Sequence, residues 1–195
     1  MEDTTKAIGE HIKTYIDATE DDMKFFMSYM NEVVVSKRNF LLRPGTYVKH
    51  EYFVLKGCLT AYYIDAKGGR HNVQFAIENW WIGDFDAFYN RIPSKLYIEA
   101  IEDATLLSIS YSNLEYVFTE RPIFERYFRI LTTNAFISVR KRILSSLEKD
   151  SKERYIEFCT DYPNIEHRVP NYHIANYLGV TAESISRIRR DLKNK

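Results

Sequence analysis

The sequence has few cysteines, and none in a metal-binding pattern. Only two occur in 195 residues, Cys58 and Cys159, and they lie far apart with no CxxC motif. Such sparse spacing argues against an iron–sulfur cluster, a structural zinc site or a disulfide framework. We therefore expect two reduced thiols, no metal and no cofactor, as is usual for a cytoplasmic protein.

Long apolar runs are also missing. No stretch approaches the roughly 18 apolar residues of a transmembrane helix, and the N-terminus has no basic segment followed by an apolar run. We expect a cytoplasmic protein without a membrane partner. The chain is 45% hydrophobic and 28% charged, which is typical of one large globular domain or two small ones.

The formal net charge is zero, but the charge is unevenly distributed. Residues 168–195 hold six Lys/Arg against two Asp/Glu, a net of +4 that the preceding residues balance. This asymmetry favours an anionic partner for the C-terminal segment. The alternative is a solvated helix end whose cations complement the helix dipole.

The hydrophobic periodicity changes twice along the chain. Helical spacing up to about residue 30 gives way to short β-branched and aromatic runs, with glycines at roughly ten-residue intervals. This pattern predicts N-terminal helices and an antiparallel, jelly-roll-like β-roll with a hairpin turn at Gly68–Gly69. Helical spacing returns after Tyr111, so the predicted fold class is α+β. The segment 161–169 is compatible with a small hairpin.

A long helix is predicted from Pro122 to about residue 148, with apolar residues on more than one face. We expect the additional apolar face to be buried against a second copy of the chain. The alternative is that the rest of the same chain packs around the helix. The predicted division is a region of N-terminal helices and β-roll at 1–121, a dimerisation helix at 122–148 and a C-terminal helical region at 149–195. The expected seam residues are Ile123, Tyr127, Ile130, Asn134, Ile137 and Leu144.

The segment "NYHIANYLGVTAESISRIRRDLKNK" closes the chain. Two short helical patterns meet at Gly179, which can take the positive φ that ends a helix. In the second pattern Ile185, Ile188 and Leu192 form one apolar stripe, opposite a polar face rich in arginine. This arrangement is typical of a helix-turn-helix; the alternative is an αα-hairpin with a solvated outer face.

The polar face carries groups that can read nucleobases. The guanidinium of Arg187 can bond guanine O6 and N7 together, and the carboxylate of Glu183 can accept from a cytosine amino group. The two residues are one helical turn apart, so they are also expected to form an ion pair. Cationic side chains on the same helix suit phosphates: Arg189, Arg190, Lys193 and Lys195.

"LGVTAESISRI" resembles the recognition element of the CRP/FNR transcription regulators, and the resemblance covers nearly the whole chain. It implies a β-roll sensor, a dimerisation helix and a winged helix-turn-helix, with any wing in the stretch around Ile165. "ESISR" is most similar to the FNR branch, which implies that Glu183, Ser186 and Arg187 read a TTGA-type half-site. Ala182 stands where the cyclic-AMP receptor has another base-reading arginine. Further phosphate contacts are expected from Asn171, Tyr172 and Thr181.

The family's cyclic-nucleotide cassette is altered in "WIGDFDAFYNRIPSKLYIEA". Gly83 is kept and Asp84 replaces the ribose-binding Glu, but Ser94 stands where the phosphate-binding Arg belongs. Loss of the bidentate Arg removes the main counter-charge for a phosphate, so we expect no cyclic-AMP binding. The other candidates for the sensor pocket are Arg91 and Lys95 as substitute cations, and Tyr127 and Phe128 on the long helix.

Other sensors and enzymes fit less well. The FNR cluster needs four cysteines, and haem ligation would rest on Cys58, His50 or His71. A cupin metal site would use His50 and Glu51 but lacks its other histidines, so no enzyme is expected. The predicted function is a homodimeric regulator that binds double-stranded DNA, with the effector and any contact to RNA polymerase left open. The rival is a small-molecule-binding β-roll whose C-terminal helices bind protein.

Overall fold

The computed structural model describes the backbone of residues 2–162 and 165–193, and side chains from residue 6 onward within those ranges. The chain forms two compact units, one comprising residues 1–61 and 75–134, the other residues 62–74 and 135–195. The functional division into three regions expected from the sequence stays a prediction.

The first unit begins with the predicted N-terminal helices, α1 (Glu2–Lys13) and α2 (Glu20–Ser28). Thr19 caps α2, because its hydroxyl accepts from the backbone N–H of Asp22 while the Asp22 carboxylate accepts from the backbone N–H of Thr19. Two further helices are α3 (Phe85–Asn90) and α4 (Tyr111–Glu120). The long helix α5 (Ile123–Glu148) starts directly after Pro122, as predicted.

The β-roll is confirmed as two antiparallel sheets. The described strands are β1 (Asn31–Val35), β2 (Phe40–Leu42), β3 (His50–Lys56), β4 (Leu59–Ile64), β5 (Arg70–Ala76), β6 (Trp81–Ile82), β7 (Tyr97–Ala100) and β8 (Ala104–Ser110). One sheet has the order β1-β8-β3-β6 and the other β2-β7-β4-β5. The predicted hairpin joins β4 and β5: Gly68 has φ +82°, and the Asp65 N–H donates to the Gly69 carbonyl at 2.9 Å.

Alternation along the strands divides the core in two. Phe53 and Leu107 point to one face of their sheet and pack with α1, α2 and α5. Val54 and Leu106, their neighbours in sequence, belong to a second cluster with Ile82. We refer to the first cluster as the helix-side core. The first half of α5 packs against this core, which is why its apolar side chains are buried or half-buried.

The second unit contains the rest of α5 and the C-terminal helices α6 (Ser151–Asp161), α7 (Ile165–Arg168), α8 (Asn171–Leu178) and α9 (Ala182–Lys193). Gly179 ends α8 with φ +67°, as predicted. The expected hairpin around Ile165 is wrong, because that stretch is the helix α7. Ile165 and Val169 lie four residues apart, and burying both on one side favours a helical turn.

The predicted wing is not found in the described ranges, where no strand follows Ser110. Pro163, Asn164 and the predicted phosphate contact Lys195 lie outside the described residues. No helix in the described ranges combines the length and apolar character needed to cross a bilayer.

Candidate nucleic-acid interface

Helix α9 separates its apolar and polar faces cleanly. Ile185 and Ile188 are buried within the second unit, and Leu192 is half-buried. The opposite face is exposed and lines an open depression of about 410 Å³, formed by Ala182, Glu183, Ser186, Arg187 and Arg190. The structure therefore brings the three predicted base readers together on one accessible surface.

Arg187 is exposed and makes no hydrogen bond or ion pair with the described part of the chain, so its guanidinium is available to a ligand. The expected ion pair with Glu183 is wrong. The carboxylate of Glu183 instead accepts from its own backbone N–H and from the Thr181 hydroxyl, and these two bonds lower its pKa. Thr181 also accepts from the Ser184 N–H at 3.2 Å, so its hydroxyl caps α9.

Asn171 was expected to contact phosphate, but its side chain is directed at α9. Its Nδ2 donates to the hydroxyl of Ser186 at 3.1 Å, and that hydroxyl donates to the Ala182 carbonyl at 3.0 Å. The adjacent Tyr172 is 48% exposed, and its ring contacts that of His173 with the centroids 4.0 Å apart and the planes tilted by 33°. Sequence spacing did not reveal the link between Asn171 and Ser186, because it joins two different helices.

Arg189 was expected to contact phosphate, but its guanidinium is directed at its own chain. Its Nε donates to the Tyr155 hydroxyl at 2.7 Å, and its terminal nitrogen donates to the Glu166 carbonyl at 2.6 Å. Arg189 follows buried Ile188 and lies at the edge of the apolar stripe, so it packs against α6 and α7. Arg190 and Lys193 are exposed, and they remain candidates for phosphate contacts.

The polar side chains of the altered cassette form hydrogen bonds within the cassette itself. Asp84 caps α3, accepting from the Ala87 N–H at 3.3 Å, and also accepts from the hydroxyl of Ser94 at 2.7 Å. Ser94 is 3% exposed and accepts in turn from the Leu96 N–H. Asp84 and Ser94 therefore meet, as the aligned cassette implies, but they bind each other.

Arg91 and Lys95 do not replace the missing arginine in this structure. Both side chains are exposed, and the Arg91 guanidinium carbon lies 4.8 Å from the centre of the Tyr111 ring. In the described residues, no hydrogen bond or ion pair joins either cation to Asp84 or Ser94. The cassette thus presents a hydroxyl, that of Ser94, where the family has a cation.

Tyr127 and Phe128 belong to the helix-side core, and the structure does not bring them to Asp84 or Ser94. Tyr127 is completely buried; its hydroxyl is 2.8 Å from His11 Nδ1 and accepts from Trp81 Nε1 at 2.9 Å. Phe128 packs against Trp81. The assignment of Tyr127 to the dimer seam is also wrong, because a side chain with no exposed surface cannot reach a partner.

A buried carboxyl lies beside the cassette. Glu51 on β3 is 1% exposed, and neither of its oxygens has a hydrogen-bond partner among the described residues. Burial, with a smaller contribution from Asp84, raises its pKa to about 8. A Cβ at position 83 would overlap this carboxyl, which explains the glycine. No group of three metal-binding side chains occurs in the described ranges.

The second half of α5 exposes a row of apolar side chains. Ile123 and Ile130 pack partly against the helix-side core, whereas Asn134 is exposed. The exposed apolar residues are Phe136, Ile137, Val139, Ile143, Leu144 and Leu147, with exposures from 45% to 78%. A contiguous apolar strip on a helix is unusual on a monomer surface and marks an interaction face.

Residues 32–121 match the Cyclic nucleotide-binding domain family. The β-roll and its cassette are therefore a domain of the cyclic-nucleotide-binding class. Over 169 residues the chain is 25% identical to the Fumarate and nitrate reduction regulatory protein of Yersinia pestis, covering 79% of this chain and 65% of that protein. The match thus spans less than two thirds of this curated relative.

Two solved structures show the same fold. FixK2 from Bradyrhizobium japonicum superposes with a TM-score of 0.74 at 19% identity, covering 85% of each chain. A putative transcriptional regulator of the CRP/FNR family from Eubacterium rectale gives 0.69 at 19% identity, covering 91% of this chain and 84% of that one.

The cyclic nucleotide-binding domain match, the curated relative and the second structure together support a regulator of the CRP/FNR type. This confirms the resemblance noted in the recognition segment and the α+β fold class. The members of the CRP/FNR family are transcription regulators and not enzymes.

Proposed function

We propose that this protein is a DNA-binding transcription regulator. The main support for this proposal is the exposed face of α9, where Glu183, Ser186 and Arg187 line one open depression. An arginine with a free guanidinium beside a carboxylate and a hydroxyl is a set that can read base edges in a major groove. Arg190 and Lys193 flank this face and supply cations for the backbone phosphates.

The proposed binding unit is a homodimer joined through the second half of α5. The exposed strip from Phe136 to Leu147 supplies an apolar face of the kind that paired helices bury. Two recognition helices would then enter successive major grooves about one helical turn apart, on a palindromic operator. The resemblance to the FNR branch implies half-sites of the TTGA type.

Cyclic AMP does not fit the cassette. The Asp84 carboxylate and the Ser94 hydroxyl bind each other at 2.7 Å, and an incoming cyclic phosphate would meet the carboxylate without a guanidinium beside it. Burying a phosphate next to a carboxylate that no cation neutralises is strongly unfavourable. We therefore expect that an effector of this regulator is a molecule other than cyclic AMP.

Selection of bound duplexes from a random DNA pool tests the proposal. A regulator should enrich one palindrome, and its affinity should fall as salt rises, with a log–log slope of about −0.9 per phosphate contacted. The rival function, a β-roll module whose C-terminal helices bind protein, predicts no enriched sequence and no salt-dependent duplex binding. That result would refute the DNA-binding proposal.

A further inference from the structure

Arg142 in the second half of α5 holds two other elements of its unit. Its guanidinium donates to the carbonyls of Val73 at 3.0 Å and Asn72 at 3.0 Å in the β4–β5 hairpin. It also donates to the carbonyl of Tyr177 in α8 at 2.8 Å, and it stacks 3.7 Å from the centre of the Tyr177 ring. One side chain thus bridges the long helix, the hairpin and the first helix of the helix-turn-helix.

A second contact joins the same hairpin to α8. Asn72 is 1% exposed, and its Nδ2 donates to the carbonyl of His173 at 3.0 Å. Its Oδ1 accepts from Nε of Arg70 at 3.1 Å, so both ends of the amide are engaged. His173 and Tyr177 lie one turn apart, and α8 is therefore held at two successive turns.

The orientation of α8 passes directly to the recognition helix. Gly179 joins the two helices in a tight turn, and the Asn171–Ser186 hydrogen bond ties the start of α8 to the exposed face of α9. The two helices also pack against each other, and each buries an isoleucine completely, Ile174 in α8 and Ile185 in α9. An element that fixes α8 against α5 thereby fixes the direction in which Glu183 and Arg187 point.

We propose that Arg142 is a positioning residue, which fixes the helix-turn-helix on the dimerisation helix and so restricts the half-site spacing that the dimer accepts. This inference rests on the proposed function. The fork of the guanidinium serves three carbonyls and a ring at once, and neither lysine nor glutamine can do so. Loss of the fork should leave the base-reading face intact while allowing α8 and α9 to turn together.

The test uses the full chain and a DNA library in which two copies of the selected half-site are separated by variable lengths. Arg142→Gln should reduce the preference for the best spacing over its neighbours by roughly fivefold or more, with base preference inside each half-site unchanged. Arg140→Gln is the matched control, because Arg140 is exposed on the same helix and should keep the wild-type spacing profile.

Hydrogen exchange gives a readout that does not need DNA. Arg142→Gln should accelerate exchange in both the β4–β5 hairpin and α8, and Arg140→Gln should not. If Arg142→Gln does not fold, Arg142→Lys and Asn72→Ala weaken the same bridge by smaller steps and should broaden the spacing profile.

Uniform loss of affinity at every spacing, with the profile unchanged, would show that Arg142 is only structural and would overturn the inference. Behaviour identical to that of Arg140→Gln would do the same. If wild-type protein selects no duplex, the proposed function fails and the spacing role with it, and exchange alone then decides whether Arg142 holds the hairpin to α8.

Discussion

The side-chain amide of Asn171 donates a hydrogen bond to the hydroxyl of Ser186, across 3.1 Å between α8 and α9. The single proton of that hydroxyl is directed at the Ala182 carbonyl. A serine hydroxyl has one proton and two lone pairs, so Ser186 offers one remaining lone pair to the solvent side. In this arrangement the hydroxyl is free to accept a hydrogen bond from a base amino group but has no proton left to donate.

Asn171→Ala should therefore change sequence preference. We expect a loss of about 1 kcal/mol in discrimination at the base pair facing Ser186, and little change at the pair facing Arg187. Competition titrations with single-base operator variants measure both. Asn176→Ala, a half-buried asparagine of the same helix, is the control. Equal weakening on every sequence would instead assign Asn171 to a phosphate.

Arg187→Ala and Lys193→Ala remove one cation each from α9 but should behave differently. Arg187→Ala should cost roughly 1–3 kcal/mol on the operator and relax preference at one base pair. Lys193→Ala should weaken all duplexes alike and reduce the salt slope by about 1. Binding isotherms at several salt concentrations separate the two effects. If both variants gave the Lys193 pattern, the base-reading role of Arg187 would be wrong.

Glu51 should make the protein less stable as pH rises. Its folded pKa of about 8 lies above its ordinary value of 4.5, so folding takes up a proton between these values, and the free energy of unfolding decreases across this window. Asp84, Tyr52 and Tyr89 are the titratable groups that interact with it. Glu51→Gln should remove this dependence and be more stable than wild type by a few kcal/mol at pH 9.

Urea unfolding of both proteins from pH 5 to pH 9 measures the effect of Glu51. The difference between wild type and variant cancels groups that titrate in both, including His173, whose burial lowers its pKa to about 3. A difference that stays constant with pH would show that Glu51 is charged in the folded protein throughout.

Ile137→Glu should dissociate the proposed homodimer, because it puts a charge into the exposed strip on α5. Ile156→Glu is the control: Ile156 on α6 is 44% exposed and Ile137 is 45% exposed, so the two substitutions differ in location and hardly in exposure. Sedimentation equilibrium gives the mass of each variant. Unchanged mass for Ile137→Glu, or dissociation by both variants, would count against a dimer through α5.

Local patterns predicted most of the fold. The turn at Gly68 and the helix end at Gly179 depend on residues close in sequence, and both are found. The stretch around Ile165 was misread because a short proline-marked segment is compatible with either a hairpin or a helical turn. The segment is helical because that conformation buries both Ile165 and Val169 within the second unit.

The 3.6-residue period of α9 by itself determined that Glu183, Ser186 and Arg187 share a face opposite Ile185 and Ile188, since side-chain direction along a helix follows from its geometry. Only the tertiary structure decided which polar groups are free to bind a ligand. Arg189 donates a hydrogen bond to Tyr155, and Ser94 donates one to Asp84. Arg142 donates its hydrogen bonds to the β4–β5 hairpin and to α8. Each of these partners is distant in sequence, and a hydrogen bond needs two groups within about 3 Å, a proximity that folding alone creates.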